Sequence, residues 1–212
     1  MTIKAIIFDF GEVLNAPYDP SRAEERRDRL AARLGLQPED LWSYLFDSDA
    51  SKLWMTGKLD WDGFWRSTLE PRGIKDPEDI SSYAEEVFED HYVLHPEMVE
   101  LVVSLKGRYK LAVLSNASRT EEEMKEMFRG EFELPSDLFD TVVTSTSFGT
   151  TKPDLGIFKK VLRRLDVLPE EAVFTDDMDD FTAAATTLGI HAHTFKNPAL
   201  LRQFLGEMGV LE

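Results

Sequence analysis

Between Lys110 and Met208 the chain alternates short apolar runs with charged stretches of helical length, and this rhythm constrains the fold more than any other feature. Lys110-Leu111-Ala112-Val113-Leu114, Thr141-Val142-Val143-Thr144, Ala172-Val173-Phe174-Thr175 and His191-Ala192-His193-Thr194-Phe195 read as strands. Helices are expected from about Thr120 to Phe128, from Asp154 to near Leu165, over roughly 180–188, and from Pro198 to Met208. Strands alternating with helices mean βαβ units, right-handed crossovers and a parallel sheet. A further strand is expected over 3–10, where Ile3, Ala5, Ile6, Ile7 and Phe8 form an apolar run that reads as buried on both faces. The expected fold class is therefore α/β, with a Rossmann-like doubly wound parallel sheet as its core.

Residues 16–93 lack that rhythm. After the break at Ala16-Pro17-Tyr18-Asp19-Pro20, a helical period runs from Ser21 to about Gly35, with Leu30, Ala31 and Leu34 on one side and Arg26, Arg27 and Arg29 on the other. Pro38-Glu39-Asp40 opens a second helix, since proline and acids suit a first turn. Asp60 reads as an N-cap before Trp61, Phe64, Trp65 and Leu69, and that run ends at Pro71 and Gly73. Pro77-Glu78-Asp79 starts a helix through Phe88, and His95-Pro96-Glu97 starts one through Leu105. No strand pattern interrupts them. The division expected is a core of 1–15 and 94–212 with a helical insert of 16–93. All four tryptophans, Trp42, Trp54, Trp61 and Trp65, fall in that insert, where a small bundle needs large side chains for its core.

With 212 residues, 42% of them apolar, there is enough material for one core plus an insertion. A chain without cysteine has no disulfides, thiolate metal sites or thiol catalysis. The start, Met-Thr-Ile-Lys, has no signal-peptide core and no apolar run reaches spanning length, so a cytoplasmic protein with no membrane partner is expected. A net charge of −16 argues against nucleic acid as a partner, and means that an anionic substrate needs a local cation or metal.

Such groups gather where the strands end. Strand one ends in Asp9, the next in Ser115-Asn116, the third is followed by Lys152, and the fourth ends in Asp176-Asp177. In a doubly wound sheet these carboxyl ends converge on one crevice. Alone, each has an ordinary reading: Asp9 and Ser115 as caps or turns, Lys152 as a solvated lysine, Asp176 and Asp177 as loop acids. Pro153-Asp154 starts a helix, and Glu121, Glu122 and Glu123 form a solvated helix start. His91, His95, His191 and His193 show no ligand spacing and read as structural. Together, a carboxylate, a hydroxyl, an ammonium and an acid pair suit phosphoryl transfer. The acids would hold Mg2+, a hard cation that takes carboxylates and phosphate oxygens. Ser115 and Lys152 would bind the non-bridging oxygens, and Asp9 would attack phosphorus.

The ordered set resembles the haloacid dehalogenase-like (HAD) hydrolase superfamily: Phe-Asp-Phe-Gly-Glu-Val-Leu, Leu-Ser-Asn, Thr-Lys-Pro-Asp and Val-Phe-Thr-Asp-Asp stand as its four motifs, across the whole chain. The resemblance implies a helical C1 cap in the insert, Asp9 as nucleophile, Ser115, Asn116 and Lys152 on phosphate, and Mg2+ on Asp9, the Gly11 carbonyl, Asp176 and chiefly Asp177. Two residues depart from the family's pattern. Gly11 stands where its phosphatases usually carry a general acid; Glu12 is the nearest substitute, although neighbours in an extended strand end point to opposite sides. Phe181 stands where Asn or Asp is frequent, with Asp180 one residue earlier as a replacement. The expectation is a Mg2+-dependent phosphomonoesterase acting on a small phosphorylated metabolite, as a monomer or homodimer. The alternatives are a 2-haloacid dehalogenase, which works without metal, and a non-catalytic phosphate- or metal-binding module.

Overall fold

The computed structural model describes residues 2–17, 20–88 and 92–211, and the chain divides into two compact units, 1–16 with 94–212 and 17–93. His91, read as structural above, lies outside the described residues.

The first unit is built on β1 (Ala5–Phe8). Two short strands follow, β2 (Asn15–Pro17) and β3 (Tyr92–Leu94), which pair with each other as a ribbon. The stretch 16–93, expected to hold no strand, thus begins and ends in one. Three-residue strands whose pairing spans most of the insert leave no local pattern to read. Then come α6 (Pro96–Leu105), β4 (Lys110–Ser115), α7 (Glu121–Gly130), β5 (Thr141–Thr144), α8 (Ser145–Phe148), α9 (Leu155–Leu165), β6 (Ala172–Asp176), α10 (Asp179–Thr187), β7 (His191–Thr194) and α11 (Pro198–Glu207). The sheet order is β5-β4-β1-β6-β7, with every neighbouring pair parallel.

Being central, β1 is covered on both faces and both edges, which is why its four residues are all apolar and all buried. Pleating sends Ile6 and Phe8 into one core, with Met98, Leu101, Phe128, Leu201 and Leu205 from α6, α7 and α11. Ala5 and Ile7 enter the other, with Ile157, Phe158, Val161 and Ala185 from α9 and α10. Helices on both faces make the sheet doubly wound. The chain runs outward from β1 through β4 and β5, then returns to β1's other side as β6 and β7. The strand order therefore reverses beside β1, which opens a crevice at its carboxyl end.

Between the strand residues at its two ends, the second unit's described residues form five α-helices: α1 (Pro20–Leu34), α2 (Leu41–Phe46), α3 (Asp49–Trp54), α4 (Trp61–Leu69) and α5 (Pro77–Val87). Asp60 caps α4 by accepting from the Gly63 N–H at 2.8 Å. Its core combines Leu30, Leu34, Leu45, Phe64, Trp65 and Tyr83. Trp54 stacks on Phe64 with centroids 4.4 Å apart, whereas Trp42 and Trp61 are 37% and 45% exposed, so two of the four tryptophans lie at the surface. Arg26, expected on the polar side of α1, is buried. It precedes Leu30 by four residues and so shares Leu30's face of the helix. No helix among the described residues is long and apolar enough to cross a membrane.

Candidate active site

Asp9 is the first residue beyond β1, and its N–H donates to the Thr175 carbonyl of β6 at 2.9 Å. The registry pairs Phe8 with Thr175, so one more step sets Asp9 beside Asp176. By pleat alternation both carboxylates point to the face that holds Ile7 and Phe174, the side of α9 and α10. Lys152 enters from the loop leading into α9 on that same side. Its Nζ lies 2.8 Å from Asp9 Oδ1 and 2.5 Å from Asp176 Oδ2. The Lys152 side chain is 1% exposed, which disposes of the solvated-lysine reading.

The loop that delivers Lys152 is held by its neighbours. Asn116 accepts from the Lys152 N–H at 2.8 Å through Oδ1 and donates to the Lys152 carbonyl at 3.1 Å through Nδ2. The loop after β4 is itself tied to α8: Ser145 Oγ accepts from the Ala117 N–H at 3.0 Å, and Thr146 Oγ1 donates to the Ala117 carbonyl at 2.7 Å. Gly149, at φ 84, ends α8 in a left-handed conformation that a side chain would strain. Ser115 closes β4 and is buried. Asn116 was expected on substrate; its amide is engaged with the backbone of Lys152.

Asp176 is fully buried, and its second oxygen accepts from the Met178 N–H at 3.0 Å. Asp177 follows, half-buried, its carboxyl raised by burial and by the neighbouring Asp176. One carboxylate oxygen from each of Asp9, Asp176 and Asp177 falls within 4.8 Å of the others. Three hard oxygen donors so close together could hold a hard divalent metal ion. Asp180 lies exposed in the first turn of α10, outside this cluster.

Two buried carboxylates share one ammonium, so the group carries an excess negative charge. Burial pushes the Asp9 carboxyl up; Lys152 draws it down and Asp176 raises it again, leaving it at about 7. Burial alone would depress the Lys152 ammonium, but Asp9 and Asp176 outweigh it and hold it above the ordinary lysine range. A metal must displace the Asp9 proton wherever that proton is bound. Affinity for a divalent metal, probed with Mg2+, is therefore expected to be level above pH about 7 and to fall roughly tenfold per unit below it. Calorimetric titration at pH 8 and pH 6 measures this, and equal affinities at the two values would contradict the raised Asp9.

Residues 11–14 form a turn rather than an extended strand end. Glu12 takes a left-handed φ of 56, and its N–H donates to Asn15 Oδ1 at 3.1 Å. Strand alternation thus does not decide where Glu12 points. Its carboxyl is raised, first by partial desolvation and then by Asp177. The described histidines stay apart from the carboxylates: His95 precedes α6, the His191 ring contacts the Glu170 carbonyl, and His193 packs on Phe204. Of the acids at the start of α7, Glu123 closes a capping box with Thr120 and Glu121 pairs with Arg164.

A family model described as haloacid dehalogenase-like hydrolase matches residues 3–185. Over 179 residues the chain is 30% identical to haloacid dehalogenase-like hydrolase domain-containing protein 3 of Xenopus laevis, covering 80% of this chain and 71% of that one. Over 191 residues it is 26% identical to the sesquiterpene phosphatase astK of Aspergillus oryzae, covering 89% and 88%. Two other matches are to longer proteins, of which the chain spans 9% and 36%. Among solved structures, a HAD family enzyme of Bacteroides thetaiotaomicron, in complex with magnesium and inorganic phosphate, superposes with a TM-score of 0.66 at 22% identity. That match covers 92% of this chain and 94% of the other.

Proposed function

Because the chain belongs to the haloacid dehalogenase-like hydrolases, we propose that it is a Mg2+-dependent phosphomonoesterase, acting on a small phosphorylated metabolite through an aspartyl-phosphate at Asp9. The observation that carries this reading is the meeting of three carboxylates with one buried lysine at the reversal point of the sheet. A phosphatase among the relatives and a magnesium-phosphate complex among the fold neighbours support it.

Asp9, Asp176 and Asp177 would hold Mg2+, with the Gly11 carbonyl. Bound there, the ion supplies the positive charge that lets an anionic ester approach an anionic nucleophile. Lys152, fixed by its carboxylates and by Asn116, donates to a non-bridging phosphoryl oxygen, and Ser115 donates to another. Asp9 attacks phosphorus with one carboxylate oxygen; the ester oxygen departs with its bonding electrons, and the phosphoryl group resides on Asp9. Water then attacks the same phosphorus, releasing inorganic phosphate and the Asp9 carboxylate. Gly11 has no carboxyl to protonate the departing oxygen, so esters with good leaving groups are the favoured substrates.

The cheapest test is p-nitrophenyl phosphate with the purified protein, in Mg2+ and in EDTA. Turnover is expected with the metal and its loss with the chelator. Undiminished turnover in EDTA would contradict the mechanism. Halide release from 2-chloropropionate without phosphatase activity would replace it with the dehalogenase reading, and inertness across a broad panel of phosphate esters would favour a binding module.

A further inference from the structure

The phosphatase reading gives no part to Phe181. It sits in α10, partly buried against the core of α9 and β6. Its ring centroid lies 5.0 Å from Lys152 Nζ, and the ring of Phe174 lies 5.7 Å from the same atom. Both distances are within the range of cation–π attraction, which is strongest for a cation stripped of water. Lys152 is such a cation, with 1% of its side chain exposed.

The donor count gives the rings a purpose. An ammonium has three N–H groups. Asp9 and Asp176 take two of them. An Asn or Asp at 181 would offer an oxygen to the third, whereas a phenyl face attracts the charge without engaging one N–H in a directed bond. We propose that Phe181, with Phe174, is a positioning residue: an aromatic seat that holds the Lys152 ammonium against Asp9 and Asp176 and leaves its third N–H for an anionic oxygen of the ligand. The seat builds on the phosphatase reading in naming phosphate as the ligand, while its contact with Lys152 stands independently of it.

Two measurements separate these claims. The first is the ring-current shift of the Lys152 ε-methylene protons, assigned by NMR from the Lys152→Met spectrum. An upfield position relative to the exposed lysines is expected in the wild-type protein. It should be retained in Phe181→Tyr and reduced, with the Phe174 contribution remaining, in Phe181→Leu and Phe181→Asn. The second is calorimetric binding of inorganic phosphate at constant Mg2+. Phe181→Tyr should bind within about threefold of wild type, and Phe181→Leu and Phe181→Asn about tenfold or more weakly. Leucine retains an apolar packing role, so normal phosphate binding by Phe181→Leu would overturn the seat. So would an unshifted Lys152 in the wild type, or tighter binding by Phe181→Asn. Failure of the wild type to bind phosphate while Lys152 is shifted would count against the phosphatase reading and leave the seat standing.

Discussion

Lys152→Met is expected to cost about 3–5 kcal/mol of stability and to lower kcat/KM by about 10²- to 10³-fold. Methionine is close to lysine in length and suits the apolar stem between Phe174 and Phe181, so cavity formation contributes little. The cost comes from what is left behind. Asp9 and Asp176 lose their shared cation while buried to about nine-tenths or more, and breaking a buried pair leaves an uncompensated charge. For a chain of this size the loss corresponds to a fall in Tm of about 6–20 °C. Mg2+ should bind more tightly at the same time, because a competing positive charge has been removed from its three carboxylates. Loss of stability together with a gain in metal affinity distinguishes this account from simple misfolding. The double variant Lys152→Met/Asp176→Asn, which removes one carboxylate as well, should recover part of the lost Tm. A Tm within 2 °C of wild type for the single variant would show that the ion pairs are not buried as described (a change of about 1 kcal/mol or less).

Gly11→Asp is expected to raise kcat/KM on simple alkyl phosphates by about 10²- to 10⁴-fold. The position can take a side chain: a Cβ at Gly11 meets no atom within 4 Å, and the backbone there is not in the left-handed region. The new carboxyl would stand two residues beyond the nucleophile and beside existing acids, which hold a proton on it and so suit it to donate to a departing oxygen. p-Nitrophenolate departs without protonation, so turnover of its ester should change little. The ratio between the two substrates is therefore the informative measurement. An equal gain on both would mean that the carboxyl acts through the metal or through binding. No gain on either would point to Glu12 as the proton donor already in place, and Glu12→Gln would then abolish alkyl phosphate turnover.

The parts of the site that could be read from the sequence are those that end apolar runs. Asp9, Ser115 and Asp176 each close a strand that is buried on both faces, and a charge or hydroxyl at that point has no role in packing the sheet. Lys152 lies eight residues beyond the end of β5, in a loop with no period of its own; its place after a strand and the Thr-Lys-Pro-Asp motif single it out together. What the motif could not supply was its burial between two carboxylates. That depends on pleat direction at Asp9 and Asp176, and on Asn116 reaching across 36 residues to hold the loop. The single-turn α8 and the six-residue α3 are too short to display a helical period. Glu12 was placed by strand alternation, but its left-handed φ belongs to a turn that begins as soon as β1 ends. Phe181 appeared only as a missing polar residue. Its ring contact joins α10 to a loop residue far away in sequence, and no local pattern encodes that meeting.

In the proposed reaction the phosphoryl group passes through a covalent bond to Asp9. Acid quenching during turnover of p-nitrophenyl phosphate in Mg2+, borohydride reduction, and peptide mass spectrometry test it directly, because an aspartyl-phosphate reduces to homoserine. Homoserine is expected at position 9, at no other aspartate, and dependent on Mg2+; Asp9→Asn should show neither the product nor turnover, with kcat down by on the order of 10⁴-fold or more. Homoserine at a different residue, or full turnover with no reducible intermediate and an active Asp9→Asn protein, would contradict it.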